Sequence, residues 1–234
     1  MAEVAAGVLT EVLVRNKMEF ANFIGTYFRD GYTGSRFEFF DGGGDAEPVK
    51  NKFTYADVFA PNFLSVRVPA DLGFRLVEGD LAKKASELLE QIPVSDELHL
   101  CEENPLDGSP ALKLWRMIDP KKTAPVRTSK LLARKRPHLL PILDSVLQDA
   151  LMQRTTGRWN HYFQLFSDES LVKSLEDVRS SSSATNTTFP DIARLSLLRT
   201  LDIALWMEHR PALFGTSAEK AHHVDACLLT YLRG

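Results

Sequence analysis

The sequence predicts a mainly α-helical fold: a single multi-helix domain over residues 1–234, with one or two short strands in its N-terminal third. Three observations lead there. At least six segments repeat apolar residues at the three-and-four spacing of one helix face. Only two short stretches, 36–40 and 64–68, have the length and side chains of strands. Prolines and capping residues punctuate the chain where helical patterns begin and end.

Taken in order, positions 4–28 carry Leu9, Val12, Leu13, Phe20, Ile24 and Phe28 on one face, which predicts a first long helix. Gly31, Gly34 and the run Asp41-Gly42-Gly43-Gly44-Asp45 end it and flank the first strand. That glycine run has neither a GxGxxG nor a Walker spacing, so it reads as a flexible turn rather than a phosphate cradle. Thr54 is placed to cap a short helix reaching Ala60, and the second strand ends at Pro69. Positions 81–92 set Leu81, Ala85, Leu88, Leu89 and Ile92 against Lys83, Lys84, Glu87 and Glu90, and Pro93 stops that helix. Glu102, Glu103 and Asp107 lie in a loop and would bind a cation only with further oxygens brought near.

Ser109-Pro110 has the form of an N-cap with proline at the first helical position, and Asp119-Pro120 closes the helix it starts. After a basic turn, Pro125 opens a second short helix, 126–135, with Val126, Leu131 and Leu132 toward a core and its cations outward. Pro137 and Pro141 bracket an irregular link, after which Asp144 is placed to cap a third helix from Val146. An aromatic helix with Trp159, Tyr162, Phe163 and Phe166 follows, then another over 168–179. The serine-rich stretch 180–188 reads as a mobile loop, 190–208 as the strongest core helix, and the residues after Ser217 as a last helix.

Apolar residues make up 44% of the 234, enough to fill a sizeable core. The net charge of −3 hides an asymmetry: positions 113–136 hold nine basic residues and one acid, Asp119, a local charge of +8 that leaves −11 for the rest. Two readings stand: a binding face for a phosphate-bearing partner, or a solvated helical face paired with acids elsewhere. The apolar run 195–207 is interrupted by Arg199 and Asp202 and falls short of the roughly 20 residues of a membrane span. Residues 1–17 carry Glu3 and Glu11 and lack the signal-peptide pattern, so a cytoplasmic protein with no membrane partner is expected. Cys101 and Cys227 read as reduced thiols.

The stretches Thr128-Ser129-Lys130-Leu131-Leu132-Ala133-Arg134-Lys135-Arg136-Pro137 and Leu198-Arg199-Thr200-Leu201-Asp202-Ile203-Ala204-Leu205-Trp206, with Tyr32-Thr33-Gly34-Ser35-Arg36-Phe37-Glu38, resemble an actinobacterial family of unknown function. More distantly, the order of basic turn, short helix, proline-rich link and Pro141-Ile142-Leu143-Asp144-Ser145-Val146 is similar to the helix-hairpin-helix DNA glycosylases. In that superfamily a glycine-rich hairpin grips a DNA phosphate and an aspartate follows at a helix start. The resemblance puts Ala124-Pro125-Val126-Arg127 on the hairpin and Asp144 on the aspartate. It implies a glycosylase-like helical fold, DNA as partner and base excision as chemistry. Two departures stand out: the hairpin glycines are absent between Lys121 and Lys130, and Arg127 lies near the position of the lysine nucleophile, where a guanidinium forms no Schiff base.

Asp144 keeps two readings, a helix cap and a catalytic carboxylate that stabilises a cationic sugar. Lys121, Lys122, Arg127, Lys130, Arg134 and Arg136 are the candidate phosphate contacts, and Trp159 and Tyr162 the candidate base-stacking residues, with core packing as their alternative. No metal or cofactor is expected: His222-His223 with Asp225 lacks a distant third ligand, and no CxxC cluster is present for iron and sulfur. The leading function is therefore a nucleic-acid-binding protein of glycosylase-like architecture. The alternatives are a non-enzymatic helical scaffold whose basic patch meets an acidic protein, and an enzyme acting on a nucleoside-like small molecule.

Overall fold

The computed structural model describes residues 2–29, 32–105, 107–144, 147, 158–185 and 192–209; among them the regular structure is entirely helical, with no strand. The chain divides into two compact units, one drawn from Met1–Tyr32 with Asp144–Gly234 and the other from Thr33–Leu143.

The first unit contains α1 (Ala2–Arg15), α2 (Lys17–Arg29), α8 (Arg158–Phe166), α9 (Glu169–Thr185) and α10 (Leu197–His209). The long first helix expected from periodicity is two helices. Asn16 breaks it, its Nδ2 donating to the Val12 carbonyl at 3.2 Å while its own carbonyl accepts from Glu19 to start the next turn. α2 packs against α1, α9 and α10, burying Phe20, Ile24, Tyr27 and Phe28 at helical spacing. In α9, Leu171, Leu175, Val178 and Ser182 form one buried stripe. That stripe explains why the serine run is helix through Thr185 rather than the expected loop: Ser182 falls on the core face, and its hydroxyl is satisfied by donating to the Val178 carbonyl at 2.9 Å.

The core helix expected at 190–208 starts at Leu197, after a 3-10 turn at Ile192–Arg194 and a Ser196 cap whose Oγ accepts from Arg199 N–H at 3.1 Å. The two charges that interrupt its apolar run satisfy each other: Arg199 is ion-paired with Asp202, donates to the Tyr27 hydroxyl at 2.7 Å and lies over that ring. The expected helix from Val146, of which only Leu147 is described, and the one after Ser217 lie outside the described residues.

The second unit contains α3 (Tyr55–Phe59), α4 (Ala70–Val77), α5 (Ala82–Glu90), α6 (Pro110–Ile118) and α7 (Pro125–Lys135), joined by 3-10 turns and irregular chain. The caps behave as their residue types dictate. Thr54 and Asp57 form a reciprocal capping box at α3, and Ser109 Oγ accepts from Leu112 N–H at 3.2 Å with Pro110 opening α6. α7 is the centre of the unit, and every residue from 128 to 136 is buried.

That burial corrects two expectations. Past its first turn the α7 cations do not face outward: Lys130, Arg134 and Lys135, with Arg136 just beyond the helix, are each at most 3% exposed. The two expected strands are absent, and the same cations explain why. Thr33–Arg36 and Phe40–Gly42 are 3-10 turns, and the carbonyls of Phe37, Glu38 and Phe40 accept from the Arg134 guanidinium instead of a neighbouring strand. Leu64 closes another 3-10 turn, with its carbonyl accepting from Lys130 Nζ at 3.0 Å. Buried backbone acceptors need donors, and here arginine and lysine side chains supply them in place of a sheet.

Candidate functional site

The nine cations of 113–136 fall into two sets. Four are internal struts. Besides its carbonyl bonds, Arg134 donates to Asp57 Oδ1 at 3.3 Å. Lys135 Nζ donates to the Gly44 carbonyl, to the Val49 carbonyl at 2.8 Å and to Asp57 Oδ2 at 3.1 Å. Arg136 reaches the carbonyls of Ile92, Lys50, Leu89 and Lys135 and the side-chain oxygen of Asn51. Burial pushes the Lys135 ammonium down, against the opposing pull of Asp57, and brings Arg136 to about 10. Gly44 sits where this lattice leaves no room: a Cβ there would lie 2.5 Å from the Arg134 carbonyl and 2.6 Å from Asp57 Oδ1. Of the candidate phosphate contacts, Lys130, Arg134 and Arg136 thus have their charged heads turned into the protein.

The second set surrounds the α6–α7 hairpin. Lys113 and Arg116 are exposed on α6, Lys121 and Lys122 are exposed on the turn, and Arg127 is half-buried on the first turn of α7. Its Nε is buried without a hydrogen-bond partner among the described residues. The hairpin is held from inside by Asp119, 3% exposed, whose Oδ1 and Oδ2 accept from the N–H groups of Thr123 and Ala124 at 3.0 and 2.9 Å. Lys122 turns the corner with φ of 56°, a left-handed conformation. Sequence reasoning noticed Asp119 as a helix end and as the one acid among nine cations, but assigned it no role in shaping the turn.

The remaining candidates lie in the other unit. Asp144 is half-buried, and the start of the helix it is expected to cap lies outside the described residues. Tyr162 is buried; that burial, with the Asp144 charge added, pushes its phenol well above the usual range. Tyr162 therefore packs in the core, whereas Trp159 is half-buried. Neighbouring His161 is lowered by burial, with Nε2 lacking a partner among the described residues. His222, His223 and Asp225 lie outside the described residues, and among those described no cluster of three or more His, Cys, Asp or Glu side chains is placed to hold a metal. No described helix is long and apolar enough to cross a membrane.

Sequence reasoning also missed Glu208 on α10, which burial, followed by the charge of Glu19, raises to about 7. The folded protein therefore holds this proton at pH values where the unfolded chain has lost it. Its favourable contribution is complete near pH 4.5 and is lost as pH rises to about 7. Glu208→Gln is expected to flatten this decline and to raise stability at pH 8 by up to about 3 kcal/mol, measured by denaturant melts at pH 5 and pH 8. An equal effect at both pH values would refute the assignment.

No curated protein and no solved structure matches this chain. The model of a family described as of unknown function, DUF6308, matches residues 20–209.

Proposed function

Taking as premise that the chain belongs to DUF6308, a family of unknown function, we propose that it binds the phosphate backbone of nucleic acid through the α6–α7 hairpin. The observation that carries this reading is the sorting of the cations. With four fixed inside the fold, Lys113, Arg116, Lys121, Lys122 and Arg127 stay at or near the surface, none of them ion-paired among the described residues. The single acid of the stretch is buried beneath them, its carboxylate turned to backbone amides. Unpaired cations grouped on one helix-turn-helix attract a polyanion, and phosphate contacts of this kind position a protein on nucleic acid without reading sequence.

The test is fluorescence anisotropy on a short labelled duplex. If Lys121, Lys122 and Arg127 each neutralise one phosphate, log K should fall against log salt with a slope of about −2.7 between about 50 and 200 mM. The double variant Lys121→Ala, Arg127→Ala should bring the slope to about −0.9. Absence of binding at the lower salt, or an unchanged slope in the double variant, would remove the hairpin as the binding element.

A further inference from the structure

We infer that Asp119 is the positioning residue of this hairpin and that Lys122 is the phosphate contact it presents, an inference that rests on the phosphate-binding reading above. Asp119 organises the whole turn: its carboxylate accepts from Thr123 and Ala124 N–H, and its carbonyl accepts from Lys122 N–H at 3.2 Å. The two amides immediately before α7 are where backbone donors would otherwise grip an anion. Here a buried carboxylate already occupies them, so a phosphate must be met by side chains.

Lys122 is the residue that this arrangement constrains most. A left-handed φ disfavours any residue with a Cβ and suits glycine best, asparagine and aspartate next. The other two described non-glycine residues at positive φ are Asp41 and Ser65, both small and polar. Lys122 is long and exposed, and the Asp119 bonds fix it in that conformation. Strain retained at an exposed cation marks a position where the side chain is used. The Asp119 clamp holds Lys122 in the turn, next to Lys121 and five residues before Arg127.

Positioning and plain electrostatics predict opposite results, which makes the inference testable with the full-length chain and the labelled duplex. Asp119→Ala removes a negative charge from beneath a basic patch, so electrostatics alone predicts tighter binding. Positioning predicts weaker binding, by about tenfold, and a salt slope shallower by about 0.9, the share of one phosphate. Lys122→Gly keeps the clamp and relieves the backbone strain. It is expected to raise the melting temperature while losing the same 0.9 from the slope, and Lys122→Arg should keep the slope. Tighter or unchanged binding by Asp119→Ala, or an unchanged slope in Lys122→Gly, overturns the inference. Should Asp119→Ala fail to fold, Lys122→Gly decides alone. Wild-type protein that binds no duplex overturns the phosphate-binding reading and this inference together, whereas a normal wild-type slope left intact in Lys122→Gly overturns only the latter.

Discussion

Asp57→Ala is expected to destabilise the protein by about 3–5 kcal/mol, the range for breaking a buried ion pair by deleting one partner. Asp57 is 1% exposed, and its two carboxylate oxygens face two cations, Arg134 at 3.3 Å and Lys135 at 3.1 Å, themselves buried. Removing the carboxylate leaves both charges without a counter-ion in a region already crowded by Arg136. It also deletes the side chain that accepts from Thr54 N–H at 2.9 Å and so half of the α3 capping box. Asp57→Asn, similar in shape, should recover the cap but little of the rest, because its NH2 group would meet a guanidinium or an ammonium. Urea denaturation of both variants measures this, and a loss under about 1 kcal/mol for alanine would show the cations to be satisfied by carbonyls alone.

Arg136 carries the second large expectation. Its guanidinium serves five oxygens, among them the carbonyls of Ile92 and Leu89, both at 2.5 Å, and that of Lys50 at 2.8 Å. Those segments are brought together by one planar fork. Each buried acceptor left without its donor costs about 1–3 kcal/mol. Leu89 O retains its bond from Ile92 N–H, so the loss falls on the carbonyls of Ile92, Lys50 and Lys135 and on Asn51 Oδ1, and Arg136→Met should cost at least about 2 kcal/mol. Arg136→Lys should recover less than half of that. An ammonium has three donors and cannot reproduce the bidentate geometry, so the substitution is not conservative here. Equal denaturation midpoints for the Arg136→Lys variant and the wild-type protein would overturn this view of the fork.

What could be read from the chain was what short-range chemistry writes into it. Ser109 and Pro110 open α6 and Thr54 opens α3 because caps and prolines act within four residues. The stripe in α5 was visible for the same reason, as its apolar residues recur locally. The inward turn of Arg134, Lys135 and Arg136 was not visible. Charged residues default to solvent, and the acceptors that reverse this are backbone carbonyls, which every residue has and no motif marks. Asp57, the one acid bonded to these cations among the described residues, lies 77 residues from Arg134 in the chain. Of the six cations expected to contact phosphate, the sequence could not tell Lys121, Lys122 and Arg127, which stay at or near the surface, from Lys130, Arg134 and Arg136, which only tertiary structure shows to be internal; Lys113 and Arg116, also exposed, were not among the six. The serine run misled because composition was weighed without phase, whereas Ser182 lands on the buried face of α9.

The lattice around α7 also sets an order of events during folding. Arg134 and Lys135 bind carbonyls 86 to 97 residues earlier in the chain, and Arg136 binds others 44 to 86 earlier. The segments around 37–51 have only the short 3-10 turn at Phe40–Gly42 to fall back on, so their backbone acceptors wait for a helix made much later in synthesis. Loops of that length must close before any of these bonds forms, which slows folding relative to a helical bundle of local contacts. A nascent chain stopping short of Pro125 holds every acceptor and none of the donors, and stays dependent on water until α7 arrives.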